Sequence, residues 1–565
     1  MDTTAIKIES LLTRDERDEL AKLLFPDIAK RPEDYELMYP PRDLPAGAFV
    51  TRIGPSPTGY IHLGNLYSAL ADSRLARQSG GVFMLRVEDT DNKREVPGAV
   101  ELIISSLAYF GVEFDEGATE RGDKGAYGPY RQRRRAELYQ TMACHLIREG
   151  RAYPCFCAEE ELNLIREQQS AAGQTPGYYG RWAVHRDLSM DDIRSRLSAG
   201  EGFTVRLRST GDPSKHITVL DGIRGALSMP QNNQDFVLLK ADGIPTYHFA
   251  HAVDDHFMRT THVIRGEEWL ATLPYHVELF EALGYERPVY CHTAVLMKID
   301  KGVKRKLSKR KDPENGLDYY QKQGYLPKAV LVYLMTVLNS NFEEWMKDNP
   351  DAGYEDFPFT TAKMGSSGAL FDLDKLHNIS KDMFALMSAG EVRDFMLSWS
   401  KVNAPGFYKL IRDDGGYLIN VLNIGRGGDN PRKDLIYGNQ IKDFLSFFYD
   451  SEFKMEDHYP EQIDKELIGK LLTEYLDIYS PDDDNAAWFA KVRDMGVRHG
   501  FAAKPKDYKN NPEMYKGHVG DVSSALRVAL TGRRNSPDLW EIQRVMGADM
   551  VRRRVASAIK GLRHF

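Results

Sequence analysis

The stretch Arg52-Ile53-Gly54-Pro55-Ser56-Pro57-Thr58-Gly59-Tyr60-Ile61-His62-Leu63-Gly64-Asn65 decides the fold. Just upstream, Phe49-Val50-Thr51-Arg52-Ile53 has the aromatic and β-branched content of a strand. Pro55, Pro57 and Gly59 stop that strand, because proline removes a backbone donor and glycine permits a tight turn. Leu63, Leu66, Tyr67, Leu70 and Ala71 then recur at helical spacing. The spacing predicts strand, loop and helix, with His62-Leu63-Gly64-Asn65 opening the helix. A helix N-terminus carries partial positive charge and free N–H groups, so it favours phosphate. Gly64 lets a ligand approach the backbone, and His62 can donate to a phosphate oxygen. Taken alone, a His-x-Gly is more often an ordinary turn with a surface histidine.

Composition narrows the class. A chain of 565 residues is expected to hold about three to five domains. With 42% apolar and 28% charged residues it reads as a soluble globular protein. No apolar run approaches the roughly 20 residues of a membrane span. The start Met-Asp-Thr-Thr-Ala-Ile-Lys lacks the basic and apolar regions of a signal peptide. Four cysteines in so long a chain argue against a disulfide framework and for a reducing, cytoplasmic setting. The net charge of −7 gives no global attraction to RNA, so such a partner would need local basic patches.

Two further stretches share the chemistry of the first. Gly81-Val82-Phe83-Met84-Leu85-Arg86-Val87-Glu88-Asp89-Thr90-Asp91 is an apolar run ending in carboxylates, which suits a buried parallel strand. Ligands of open α/β sheets bind beyond the carboxyl ends of strands, so Glu88 and Asp89 are expected to face the crevice of His62. Far downstream, Gly302-Val303-Lys304-Arg305-Lys306-Leu307-Ser308-Lys309-Arg310-Lys311-Asp312 reads as a basic, mobile loop whose charge suits a triphosphate. A basic run alone favours a generic nucleic-acid or targeting patch.

The fourteen-residue stretch resembles the first signature of class I aminoacyl-tRNA synthetases, and its Arg-x-x-Pro-Ser-Pro-Thr-Gly lead resembles the glutamyl-tRNA synthetase branch. Lys306-Leu307-Ser308-Lys309 is similar to the family's second signature, in the right order about 240 residues on. The resemblance covers residues 49–565, strongly over 49–320 and weakly over 390–500. It implies a multidomain α/β and all-α protein: a Rossmann-type parallel-sheet catalytic domain with an inserted acceptor-stem domain, then helical connecting and anticodon-binding domains. The expected bounds are an extension over 1–46, catalytic halves over 47–128 and 241–300, and the insert over 129–240. The second-signature loop and connecting helices then fill 301–390, and the anticodon domain 391–565.

The resemblance implies ATP with Mg²⁺, L-glutamate and tRNA(Glu) as reactants, in a cytoplasmic monomer without membrane contact. His62, Lys306 and Lys309 would stabilise the phosphates, with His62, Gly64 and Lys309 binding ATP. Glutamate would lie on Arg52, Ser56, Glu88, Tyr247, His251 and Arg265. Within these, Glu88 matches the family's ammonium-holding glutamate and Arg265 its carboxylate arginine. His251 stands where the family often has asparagine. Two guanidiniums and a phenol suit a side-chain carboxylate, because arginine presents a planar fork to it. Charging of tRNA(Gln) as well, or a glutaminyl enzyme, are the alternatives. A tRNA-modifying paralogue and a non-catalytic RNA-binding protein are rivals, against which the long C-terminal part and the two intact signatures argue.

Other readings are local. Thr13 and Glu16 form a candidate capping box ahead of one amphipathic helix. Arg131, Arg133, Arg134 and Arg135 could touch an acceptor end. Cys155-x-Cys157 resembles half of the family's zinc site. The second cysteine is missing near Gly180-Arg181, leaving only His185 and Tyr179 to help, so no metal is expected. Asp235–Lys240 is expected to return the chain to the nucleotide-binding sheet. Asp254-Asp255-His256 could pass for a metal cluster, but the same block recurs in the family without that role. Pro431-Arg432-Lys433 falls near where family members read the third anticodon base, which makes Arg432 the tRNA-binding candidate.

Overall fold

The structure, a computed structural model, describes residues 10–91, 95–426 and 431–563. The first seven residues and most of the Gly425–Asn430 loop therefore lie outside the described residues. Two compact units emerge, Met1–Tyr319 with Val330–Asp372, and Tyr320–Ala329 with Leu373–Phe565.

The first unit is built on parallel strands. Strand β1 (Val50–Ile53) pairs in parallel with β2 (Val82–Leu85), from Val50 opposite Val82 to Ile53 opposite Leu85. Strand β2 pairs in parallel with β3 (Glu116–Thr119). After the insert, β4 (His262–Gly266) pairs in parallel with β5 (Val289–Thr293). The Thr261 N–H donates to Val50 O at 3.0 Å, which lays this second ladder beside β1. The chain thus departs from β1 to both sides, and the crevice between β1 and β4 is where such sheets bind ligands. Helix α1 (Leu63–Gln78) is buried on nearly every side, down to Asp72 and Arg74. Helices α2 (Tyr247–Phe257) and α3 (Leu273–Leu283) flank β4 and β5 in the chain.

Three expectations need correction here. The run at Val237–Leu239 is a strand of the insert, because Thr204–Leu207 pairs antiparallel with both it and Ala152–Cys155. An apolar run cannot say which sheet it joins. The basic stretch is not all loop either: Val303–Lys306 is a strand, antiparallel to Leu296–Asp300, with Lys301 and Gly302 at positive φ in the turn. The N-terminal segment forms two helices, Arg14–Leu24, with the Thr13–Glu16 capping box present, and Pro32–Met38. It straps the unit: Arg17 Nε donates to Arg148 O at 2.9 Å, Arg42 pairs with Glu116 at 2.9 Å, and Glu36 pairs with His256 and Arg259 at 2.6 Å.

The second unit is helical, including Leu373–Leu386, Ala389–Asn403, Lys465–Ile478, Asn485–Arg498, Val519–Thr531 and Leu539–Arg563, the last kinked at Gly547. Its core is rich in aromatic rings, among them Phe384, Trp399, Phe447, Phe448 and Tyr475. No helix among the described residues is long and apolar enough to cross a membrane.

Candidate active site

A cleft of about 470 Å³ opens at the carboxyl ends of β1 and β4. Its walls include Arg52, Gly54, Tyr60, His62, Gly64, Glu88, Tyr247, Arg265, Trp269, Lys306 and Lys309. Residues from five stretches remote in sequence therefore converge.

His62 is the N-cap of α1, in extended backbone, and its N–H donates to Asn65 Oδ1 at 3.0 Å. Burial, then the nearby Lys306 charge, lowers its pKa below the ordinary imidazole value. His62 is therefore neutral near pH 7 and has one N–H to give. Gly64 has a reason beyond ligand approach, since a Cβ there would lie 2.9 Å from His62 Nδ1. Lys306 Nζ lies 3.8 Å from Glu268 Oε1 and is 61% exposed, so its charge is free to turn to a triphosphate. Lys309 Nζ stands 4.0 Å over the Tyr60 ring. Asp312 anchors the base of this turn: it takes two bonds from Arg305, at 2.6 and 2.8 Å, and one from Ser308 N–H. The Arg305 hydrogen bonds hold the Asp312 carboxyl well below the usual carboxylate range.

The amino-acid end rests on a buried charge network. Asp255 lies 3.1 Å from Arg52 Nε, 2.6 Å from Arg86 Nη1 and 2.6 Å from His251 Nδ1. Burial opposes its ionisation, but Arg52 and Arg86 outweigh that and hold its pKa well below normal. Asp254 is taken by Arg135 at 2.7 Å, Gln132 at 2.9 Å and Tyr139 at 2.8 Å. The Asp-Asp-His block is thus a structural hub with its carboxylates spent on arginines. Glu88 pairs with Arg86 at 3.1 Å; burial raises its pKa, and Arg86 and Arg52 act against that rise. Tyr247 stacks near Trp269, ring centroids 4.2 Å apart.

Several expected site residues lie elsewhere. Ser56 is exposed in the turn and outside the cleft walls, while Pro55 and Pro57 on either side of it are buried. His251 is fully buried behind the cleft, between Asp255 and the Tyr290 hydroxyl at 3.0 Å. Asp89 accepts from the Arg133 N–H at 2.9 Å and does not line the cleft. Of the four arginines over 131–135, Arg135 is buried on Asp254, Arg131 bonds the Gly122 and Thr119 carbonyls, and only Arg134 is exposed. Arg432, in the helical unit, pairs with Asp434 at 2.5 Å and stacks over Phe444 at 4.3 Å, and its side chain is 10% exposed. It is not a solvated loop residue.

Sequence reasoning missed Gly54, Trp269, His276 and His292. A Cβ on Gly54 would lie 2.7 Å from Glu88 Cδ, so only glycine lets the carboxylate sit there. The available signal was the recurrence of histidine at 248, 251, 276 and 292, four of the chain's 15.

In the insert, Cys155, Cys157 and His185 come together with their ligand atoms within 4.8 Å of one another. The phenol that joins them is Tyr178, 3.4 and 3.5 Å from the two sulfurs, whereas Tyr179 bonds the Thr175 carbonyl. His185 Nδ1 lies 3.8 and 3.3 Å from the sulfurs and also accepts from Phe156 N–H at 3.2 Å. A hydrogen bond from Cys157 holds the Cys155 thiol far below its usual pKa.

The family model for class I tRNA synthetases (E and Q), catalytic domain, matches residues 48–347. The chain belongs to the class I glutamyl- and glutaminyl-tRNA synthetase family. An anticodon binding domain model also matches, over 513–559. A synthetase of this family from Acetivibrio thermocellus, described as a glutamate--tRNA ligase, is 57% identical over 95% of this chain and 98% of its own. One of the same description from Clostridium perfringens strain 13 is 46% identical over 95% of this chain and 100% of its own. The crystal structure of a glutamate tRNA ligase from Elizabethkingia meningosepticum, in complex with its amino acid, superposes with a TM-score of 0.70 at 27% identity. That match covers 91% of this chain and 99% of the other.

Proposed function

We propose that this synthetase activates L-glutamate with ATP and transfers it to the 3′ end of tRNA(Glu). The observation that carries the reading is the joining, in one cleft, of a phosphate end and a carboxylate end. His62, Lys306 and Lys309 form the first, and Arg52, Glu88, Tyr247 and Arg265 the second.

The chemistry follows from the charges. A glutamate α-carboxylate oxygen attacks the ATP α-phosphorus, the bond to the β-phosphate oxygen breaks, and pyrophosphate leaves. Negative charge grows on phosphate oxygens in line with the attack. Catalysis is then positioning and electrostatic stabilisation. Neutral His62 donates one hydrogen bond to a phosphate oxygen, and the two lysines supply positive charge from the turn. Glu88 takes the substrate ammonium, whose arrival offsets the burial that raises its pKa. The terminal adenosine hydroxyl of tRNA then attacks the activated carbonyl and AMP leaves. No side-chain nucleophile is required. Among the described residues no carboxylate cluster lines the cleft. Mg²⁺ would therefore ride on the triphosphate, as it commonly does, rather than in a protein cage.

The insert cluster fits zinc. Donor separations of 3.3–3.8 Å are the edges a tetrahedral ion needs when its bonds are about 2.0–2.3 Å. Two thiols, an imidazole and a phenol would hold it, as a structural brace remote from the reacting atoms. The missing second cysteine spoke against a metal; of the two residues read as able to help, His185 joins the cluster and Tyr179 does not.

Exchange of labelled pyrophosphate into ATP, dependent on glutamate and tRNA, tests the activation step. Failure to exchange with any combination of the two would refute it. Aminoacylation of purified tRNA(Glu) and tRNA(Gln) then decides how widely the enzyme charges.

A further inference from the structure

Three arginines stand at the amino-acid end of the cleft, and two of them are matched by anions. Arg52 and Arg86 both face Asp255, and Arg86 also faces Glu88. Arg265 differs. Its Nε donates to His292 Nε2 at 3.0 Å, and its Nη2 lies 3.2 Å from His276 Nδ1. Its Nη1 has no hydrogen-bond partner. Among the described residues no carboxylate lies within ion-pair distance of it.

A guanidinium can only donate, so each imidazole must offer it a lone pair. That requirement fixes both tautomers. His292 carries its proton on Nδ1 and gives it to Asp221 Oδ2 at 2.6 Å. His276 carries its proton on Nε2 and gives it to His248 Nδ1 at 2.9 Å. The two rings are therefore opposite tautomers serving one guanidinium. Both are buried, at 0% exposure. Burial, with the Arg265 charge beside them, lowers both pKa values and keeps the rings neutral. The Tyr290 ring, 4.7 Å from Arg265 Cζ, adds cation–π attraction without adding an anion.

We propose that His276 and His292 are positioning residues that hold Arg265 through neutral acceptors, leaving its whole charge for a substrate carboxylate and so setting the preference for glutamate over glutamine. This rests on the reading that Arg265 binds glutamate. A carboxylate in place of either imidazole would hold the guanidinium equally well but would neutralise it beforehand. A buried charge lacking a counterion is costly, and only an anionic ligand relieves that cost in full. Glutamine brings a neutral amide and leaves the charge unmatched. Discrimination then comes from the lack of any protein anion in direct contact with the guanidinium, a form of selection against the wrong ligand.

The test is steady-state aminoacylation with glutamate, glutamine and ATP varied in turn. His276→Leu removes the acceptor. His276→Asn returns one, its amide oxygen standing near the place of Nδ1. His276→Glu supplies the missing anion. We expect His276→Leu to raise the glutamate KM at least about tenfold, as for loss of a partner in a buried charged contact, with the ATP KM within about twofold. His276→Asn should return the glutamate KM to within about threefold of the parent. His276→Glu should cut the glutamate-to-glutamine ratio of kcat/KM at least about tenfold. Equal behaviour of the Leu and Asn variants, or an unchanged ratio in His276→Glu, would overturn the proposal and leave the histidines as packing. If His276→Leu does not fold, His276→Glu and His292→Gln, the latter with its amide oxygen in place of Nε2, decide the matter by the same ratio and KM. Arg265→Ala is measured alongside. A raised glutamate KM there with unaffected histidine variants sinks only this proposal. An unaffected glutamate KM in Arg265→Ala sinks the reading of Arg265 itself.

Discussion

Replacing Gly54 by alanine adds one methyl group at the point where Glu88 meets the cleft. That methyl would lie against Glu88 Oε1, closer than real Cβ contacts come, and 2.7 Å from Cδ. Gly54 follows β1 directly and Glu88 N–H donates to the Pro55 carbonyl at 3.1 Å, so neither backbone can easily retreat. The carboxylate must turn instead and give up its 3.1 Å bond to Arg86, which is itself fully buried. A hydrogen bond to a charged group is worth about 1.5–3 kcal/mol, and about 1.4 kcal/mol is tenfold in binding. The glutamate KM in pyrophosphate exchange should therefore rise roughly 10- to 150-fold, with the ATP KM little changed. Because the methyl acts only through Glu88, adding Gly54→Ala to Glu88→Ala should cause little further loss; such non-additivity marks residues in contact. A parent-like glutamate KM in Gly54→Ala would show that the Glu88 carboxylate does not hold the substrate ammonium.

Other outcomes can be checked with the same protein. Lys309→Ala should slow pre-steady-state adenylate formation by about 10²–10³, the usual effect of losing one charge-stabilising donor, while glutamate binding persists; formation at parent speed would remove the lysine from the reaction. Elemental analysis is expected to find zinc at one ion per chain, lost in Cys155→Ser; a metal-free, fully folded protein would leave the cluster as a hydrogen-bonded core. Burial lowers the pKa of His248 and His262 to about 4 and that of His251 to about 3. The unfolded chain takes up these protons near pH 6.5 and the folded chain does not, so stability should fall as pH drops from about 6.5 toward 4, by up to about 1.4 kcal/mol per pH unit for each histidine. A melting temperature unchanged between pH 7 and 5 would contradict this. Arg432→Gln should release Asp434 and alter the ratio of kcat/KM for tRNA(Glu) over tRNA(Gln); an unchanged ratio would confine Arg432 to packing on Phe444.

What could be read from the residues was local. Strand, turn and helix around His62 follow from spacing and from proline and glycine chemistry, and the structure has them at Val50–Ile53 and Leu63–Gln78. The capping box at Thr13 is a contact across three residues and was equally plain. Failures came where a side chain's partner is distant. Nothing around Val237 shows that its neighbour is Val205–Arg206. Nothing around His251 shows that Asp255 and Tyr290 enclose it. Gly54 reads as one more turn residue until Glu88 is placed beside it. In the insert, His185 was legible as a partner of the two cysteines, but the phenol beside them is Tyr178 and not its neighbour Tyr179.

The N-terminal strap bears on the order in which the chain acquires its structure. Arg42 reaches the Met258 carbonyl at 3.1 Å, 216 positions later, and Glu36 reaches Arg259, 223 positions later. Contacts of such long span are slow to form, because the intervening loop must close first. On the ribosome, residues 36–42 are made early; Glu116, which Arg42 also pairs, follows within the first catalytic half, but Met258 and Arg259 emerge only after the entire insert. These two contacts must wait through that interval, and their formation records that the two halves of the catalytic sheet have met.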